Sequence, residues 1–222
     1  MSLVFKRFAS RASSGAKYLA PKPTNGPTHT ALSDAQKAYL DRVIRVDQAG
    51  ELGADLIYMG QFAALGHHKE LRPVIRHMWD QEIHHHATFD ALQTNLRCRP
   101  SLLTPAWKVG AFGLGLVGGM MGKEFAMACT EAIETVIGGH YNTQLRVLSN
   151  NFGDLKDLET GETTSSAEIR HLEEQIKIFR DQESGHLNTA LKHDAQKARP
   201  HWLIFEGVKL ITKTAVYAAE RI

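Results

Sequence analysis

Apolar positions recur along this chain at three- and four-residue intervals instead of alternating, which is the period of a helix with one buried face. Between Ala38 and Ile57 the residues Leu40, Val43, Ile44, Val46, Leu52 and Leu56 follow that spacing. The same pattern predicts a second helix over about Leu71–Leu96, with Pro73 accommodated in its first turn and Arg99-Pro100 closing it. A third helix is expected from near Pro105 to Leu148, with a break around Gly118–Gly122. The polar stretch from Asn150 to Ser166 reads as a loop. A fourth helix is expected over about Ala167–Gln196, and a shorter apolar segment follows Pro200 to the C-terminus. Ser33 or Asp34 is the expected cap of the first helix. Strand signals are nearly absent, so the predicted class is all-α.

Charge separates the chain into two parts. Residues 1–30 hold Lys6, Arg7, Arg11, Lys17 and Lys22 and no acid, whereas the remainder carries 21 basic against 24 acidic side chains. The first part is also rich in Ser and Ala, and Pro21, Pro23, Gly26 and Pro27 end it. That is the composition of an organellar transit peptide, so residues 1–30 are expected to be a mitochondrial leader and linker. One domain is expected over 31–222. Without the leader no basic surplus remains to suggest nucleic-acid binding. Cys98 and Cys129 form no CxxC unit and are expected to be reduced packing residues.

A two-part pattern occurs twice. Glu51 is followed by Tyr58, Gln61 and then Asp80-Gln81-Glu82-Ile83-His84-His85; Glu134 is followed by Tyr141, Gln144 and then Asp181-Gln182-Glu183-Ser184-Gly185-His186. Each copy reads as a helical hairpin, about 35–97 and 123–196. On a helix, residues i and i+3 share a face, so Glu82 with His85, and Glu183 with His186, can each offer a carboxylate and an imidazole to one point. One Glu from each of two helices plus Glu-x-x-His from each of two others is the ligand inventory of ferritin-like bundles that hold two metals. The candidate metal ligands are therefore Glu51, Glu82, His85, Glu134, Glu183 and His186. Four carboxylates offset two divalent ions, and carboxylate-rich sites without thiolate favour iron or manganese, iron first.

The duplication also ranks neighbouring residues. His86 shares a face with Glu82, but its counterpart in the second copy is Leu187, so His85 is preferred. Glu131 shares a face with Glu134 and is a candidate for the edge of the site or simply a surface acid. Tyr58 and Tyr141 lie two turns from Glu51 and Glu134, as hydrogen-bond partners of ligands, pocket walls or core aromatics. His67, His68, His77, His171, His193 and His201 fit no ligand register and are expected to face solvent.

Val109–Gly122 is uncharged for 14 residues between Lys108 and Lys123. About 20 apolar residues are needed to span a bilayer, so a transmembrane helix is not expected. With Leu102, Leu103, Pro105 and Trp107 ahead of it, the segment suits a membrane interface or close helix packing through glycine.

At these motifs the chain resembles the demethoxyubiquinone hydroxylase family of ubiquinone biosynthesis. The resemblance is carried by Asp41–Glu51, Trp79-Asp80-Gln81-Glu82, Gly122-Lys123-Glu124, Ala128-Cys129-Thr130, His140-Tyr141-Asn142 and Phe179–Glu183, and it runs from about residue 35 to Arg221. It implies a ferritin-like four-helix fold with additional helical segments and two iron ions, Glu82 and Glu183 bridging them. The implied reaction is dioxygen-dependent hydroxylation of the ring of a polyprenyl methoxy-methyl-benzoquinol, the penultimate step of ubiquinone synthesis. NADH is the reductant considered. Implied partners are a lipid-binding protein and other members of the pathway's complex. The implied location is the matrix face of the mitochondrial inner membrane, peripherally bound. His140 and Tyr141 are the candidates for steering the ring or a proton. Two competing readings are a ferritin-like ferroxidase or iron-handling bundle and a non-catalytic helical scaffold.

Overall fold

Ser33 starts the first helix as expected: its hydroxyl accepts from the Gln36 amide while the Gln36 side chain accepts from the Ser33 amide, a reciprocal capping box. The computed structural model describes residues 31–153, 155–163 and 165–222, so the expected leader lies outside it. Among the described residues six α-helices follow in chain order: α1 Asp34–Leu65, α2 Leu71–Asn95, α3 Thr104–Met120, α4 Lys123–Asn151, α5 Ala167–Lys192 and α6 His201–Ala219. Pro105 falls in the first turn of α3, where its missing N–H costs nothing. The expected break is narrower than the Gly118–Gly122 span. It centres on Gly122, whose φ of 109° is open to glycine and strained for other residues. An isolated β bridge pairs Lys156 with Thr163 inside the expected polar loop.

α1 with α2, and α4 with α5, form two antiparallel hairpins, and together they make the four-helix core. One apolar cluster joins Ile44, Phe89, Tyr141, Leu148, Ile176 and Phe179, drawn from all four helices. A second joins Tyr58, Ile75, Trp79 and Met127. Burying a side chain of this size contributes about 1.5–3 kcal/mol, so these clusters hold the bundle closed.

The two remaining helices each lie alongside the first helix of the preceding hairpin. α3 follows α1 at very short range: a Cβ on Gly60 would meet the Phe112 carbonyl and Leu116 nitrogen at 2.5 Å, and one on Gly119 would meet the Ala64 Cβ at 2.6 Å. α6 follows α4, with Ile204 and Val208 packed beside Ala128, Ala132 and Ile133. The glycine-rich stretch thus uses one face for close packing. Its other face leaves Val109, Val117 and Met120 exposed, with Leu102 exposed just ahead of the helix, and α6 similarly exposes Trp202, Leu203, Leu210 and Ile211. No helix among the described residues is long and apolar enough to cross a membrane. Both cysteines are free thiols. Burial pushes Cys129 up to about 12 and, with Asp41 beside it, Cys98 up to about 11, so neither is poised as a nucleophile.

Candidate metal centre

The helical period places Glu51, Tyr58 and Gln61 on the inner face of α1, and Glu134, Tyr141 and Gln144 on that of α4; all six are buried. α2 turns Glu82 and His85 inward, and α5 turns Glu183 and His186 inward, each 2% exposed or less. The structure brings all six candidate ligands together. Glu51, Glu82, His85 and Glu183 form one group whose ligand atoms lie within 4.8 Å of one another, and Glu82, Glu134, Glu183 and His186 form a second.

Glu82 and Glu183 belong to both groups and face both histidines. Glu183 sets Oε1 3.1 Å from His85 Nδ1 and Oε2 3.0 Å from His186 Nδ1. Glu82 sets Oε2 3.7 Å from His85 Nδ1 and Oε1 3.0 Å from His186 Nδ1. Glu51 approaches His85 alone at 3.3 Å, and Glu134 approaches His186 alone at 3.8 Å. Two shared and two terminal carboxylates is the donor geometry of a dinuclear site.

The surrounding hydrogen bonds are exchanged between the two halves. His85 Nε2 is bonded to Gln182 Oε1 at 2.6 Å, and His186 Nε2 to Gln81 Oε1 at 2.9 Å. An amide oxygen only accepts, so each Nε2 carries a proton, and each Nδ1 is the ring nitrogen that faces the carboxylates. The Tyr58 hydroxyl donates to Glu134 Oε1 at 2.9 Å, and the Tyr141 hydroxyl donates to Glu51. Gln61 donates to Thr130 Oγ1, and Gln144 donates to Asp47 Oδ1. The glutamines of the Asp-Gln-Glu strings were not assigned a role from the sequence. Their recurrence immediately before Glu82 and Glu183 was the available signal.

Burial dominates the electrostatics. It raises the Glu51 carboxyl to about 8 and holds Glu134 well above the usual carboxylate range. Burial opposes the Glu183 charge too, but the His186 hydrogen bond and the nearness of both imidazoles outweigh it and hold that carboxyl below its usual value. The histidines are raised by the carboxylates against the effect of burial, His186 to about 12. Both Glu82 oxygens, Glu51 Oε2 and His85 Nδ1 are buried without a hydrogen-bond partner. Such atoms are costly unless something else coordinates them, and two divalent cations fit this donor set.

Other candidates resolve individually. His86 pairs with Asp55 and Asp90, outside both ligand groups. Glu131 is buried and bound to His201 at 2.7 Å, so it is not a surface acid and His201 does not simply face solvent. His67, His68 and His77 are exposed, whereas His171 and His193 are half-buried. The expectation of free solvent exposure is corrected for these last two, which are only partly exposed, and for His201, which Glu131 engages. His140 is half-buried beside Asp47 and Gln144. Asp47 was not singled out from sequence, since its partner lies 93 residues away and its counterpart in the second half is Thr130.

The fold and the buried site define the class first: a ferritin-like all-α bundle whose paired carboxylate–imidazole groups are able to hold metal. The family model described as ubiquinone biosynthesis protein COQ7 matches residues 38–219, and the chain belongs to that family. It is 56% identical over 204 residues to the mitochondrial 5-demethoxyubiquinone hydroxylase of Saccharomyces cerevisiae, covering 90% of this chain and 86% of the relative. It is 41% identical over 191 residues to the mitochondrial NADPH-dependent 3-demethoxyubiquinone 3-hydroxylase of Homo sapiens, with 86% and 82% covered. It is 38% identical over 185 residues to the 3-demethoxyubiquinol 3-hydroxylase of Rhodospirillum rubrum, with 83% and 79% covered.

Proposed function

We propose that this chain is a demethoxyubiquinone hydroxylase, a monooxygenase that adds one hydroxyl group to the ring of a polyprenyl methoxy-methyl-benzoquinol in ubiquinone biosynthesis. The observation that carries the reading is the pair of four-residue ligand groups sharing Glu82 and Glu183 in the buried centre of the bundle, in a chain of this family. The ligands are Glu51, Glu82, His85, Glu134, Glu183 and His186, and the metals are two iron ions. When bound, the metal pair supplies the electrons and the Lewis acidity that activate dioxygen.

The chain's own residues do the rest. Gln182 and Gln81 fix the tautomer of His85 and His186, so both Nδ1 atoms face the centre. Tyr141 and Tyr58 orient the terminal carboxylates Glu51 and Glu134. Phe179 closes over His85, its ring centroid 4.0 Å away, and keeps water from that side. His140 and Tyr141 are the residues that steer the ring or a proton. Electrons come from a nicotinamide dinucleotide; NADH was the expectation, and the name of the human relative points to NADPH.

Residues 1–30 direct the chain to the mitochondrion, in keeping with the mitochondrial names of the yeast and human relatives. The exposed apolar faces of α3 and α6 suit peripheral attachment to the inner membrane on its matrix side, alongside a lipid-binding protein of the same pathway. The two hairpins are a duplicated unit. Mass spectrometry of quinones from cells lacking the protein tests the function. Accumulation of the demethoxy precursor, relieved by the wild-type chain and not by the Glu82→Ala chain, is expected. An unchanged quinone pool would remove the reading in favour of an iron-handling bundle or a scaffold.

A further inference from the structure

The two halves share their ligands, tyrosines and glutamines, but the first hairpin carries a chain of polar contacts that has no counterpart in the second. The Trp79 indole N–H donates to Asp55 Oδ1 at 2.7 Å. Asp55 Oδ2 lies 3.1 Å from His86 Nδ1, and His86 Nε2 lies 3.5 Å from Asp90 Oδ2. Asp90 Oδ1 accepts from the buried Gln48 amide at 2.7 Å. Counted from Glu134 and Glu183, the second half has Arg180 in place of Trp79, Gly138 in place of Asp55, and Leu187 and Leu191 in place of His86 and Asp90. The frame that holds the ligands therefore closes without this chain.

Trp79 is 2% exposed and sits in the apolar cluster that also holds Tyr58 and Met78. Tyr58 donates to Glu134, and its ring stands edge-on to His186 with centroids 5.7 Å apart. The same hydroxyl lies 3.8 Å from Met78 Sδ, and Trp79 is the next residue. Ligand, phenol, thioether and indole thus form a series that ends at the partly exposed Arg76, whose guanidinium lies 4.8 Å from the indole centroid and is held by Asp80. A cation there is attracted by the neutral ring and opposes any positive charge on it. An electron leaves this indole most readily when the N–H proton leaves too. One neutral acceptor is enough to satisfy a buried indole N–H. Here the acceptor is a carboxylate, a base within reach of the proton, and His86 holds its other oxygen so that Oδ1 stays aimed at the nitrogen.

We propose that Trp79 is a protective electron donor: when dioxygen oxidises the metal pair with no quinol bound, one electron passes from the Trp79 indole by way of Met78 and Tyr58 to the metal pair, and the N–H proton passes to Asp55 Oδ1. The N–H bond breaks with its electron pair left on nitrogen, the ring loses one electron and becomes a neutral radical, and the metal pair is reduced by that electron. A soluble thiol then returns the electron and Asp55 returns the proton. Each thiol releases its own proton to water, and two thiyl radicals join as a disulfide. The path spares the ligand side chains in cycles that find no substrate. This inference rests on the reading above and adds to it a second route for the oxidising equivalents, in which the quinol takes no part.

The test gives dioxygen to the ferrous-loaded full chain without quinol and compares variants at equal bound iron. Freeze-quench electron paramagnetic resonance is expected to show an organic radical whose line shape changes when tryptophan is ring-deuterated. Peptide mass spectrometry is expected to find added oxygen at the buried Trp79 ahead of the more exposed Trp107 and Trp202. Trp79→Phe is expected to lose the radical and to move oxidation onto Tyr58 and the ligand-bearing peptides. Asp55→Asn keeps the indole and an acceptor oxygen but removes the base. It is expected to lose most of the radical signal, with Asp55→Glu restoring part. Oxidation falling first on Trp202, a radical indifferent to tryptophan deuteration, or no organic radical while dioxygen is consumed would overturn the path. A full signal in Asp55→Asn would overturn the proton transfer. A ferrous chain that consumes no dioxygen would instead remove the underlying functional reading, and this inference with it.

Discussion

Tyr58 on α1 donates its hydroxyl to Glu134 on α4, 76 residues away, although the local motif pairs Tyr58 with Glu51 in sequence. Tyr141 reciprocates by donating to Glu51. Each half of the chain therefore finishes the site of the other, and neither hairpin forms a complete cluster alone.

That exchange gives the first prediction. Tyr58→Phe keeps the packing volume and removes the donor, leaving a buried carboxylate oxygen unsatisfied. The folded protein should lose about 1–3 kcal/mol by denaturant titration. An unchanged midpoint would mean that Tyr58 serves only as a core aromatic.

Gln182→Leu and Gln81→Leu should each weaken metal binding by about 10–100-fold in chelator competition, because each releases the Nε2 edge of one histidine. The two losses should be similar in size, since the two contacts are mirror images. Full affinity in both variants would show that the glutamines do not orient the ligands.

Two glycine substitutions should act with opposite sign. At Gly115 a Cβ would run into the Ile57 carbonyl, and backbone atoms cannot step aside singly. Gly115→Ala is expected to destabilise by about 1–3 kcal/mol. Gly185, between Glu183 and His186, faces open space, and Gly185→Ala should stabilise by about 0.5–1 kcal/mol. Thermal melts of both variants check the pair, and a loss at Gly185 would contradict the packing described.

Metal affinity should fall with falling pH. Burial raises the Glu51 carboxyl to about 8, so at neutral pH it holds a proton that a cation must displace, and burial pushes Glu134 in the same direction. Raising the pH removes that competition and lowering it strengthens the competition. Calorimetry in buffers of different ionisation heat should show proton release on binding, growing as pH falls from about 8 to about 6. Binding without proton release would contradict the dry environment of the site.

Much of this was legible in the sequence because helical spacing turns order into geometry. Glu82 with His85 and Glu183 with His186 are three residues apart, and that alone puts them on one face. The duplication then selected Glu134 over Glu131 and His85 over His86. What stayed hidden depends on partners distant in the chain: the crossed Tyr–Glu and Gln–His bonds, the Glu131–His201 pair, and Asp47 behind His140. The segment Val109–Gly122 was ambiguous because glycine serves equally for close packing and for an interfacial helix. Here one face packs on Gly60 and Ala64, and the other stays apolar and exposed. The role of α6 as the counterpart of α3 was also unread, since its apolar pattern contains a single glycine, Gly207.

The most direct measurement is the fate of isotopically labelled dioxygen during turnover of the iron-loaded chain with demethoxyubiquinol. One labelled atom should appear in the new ring hydroxyl, and none should appear there when the label is supplied in water. A product carrying oxygen from water, or iron oxidised with no change in the quinol, would contradict the account.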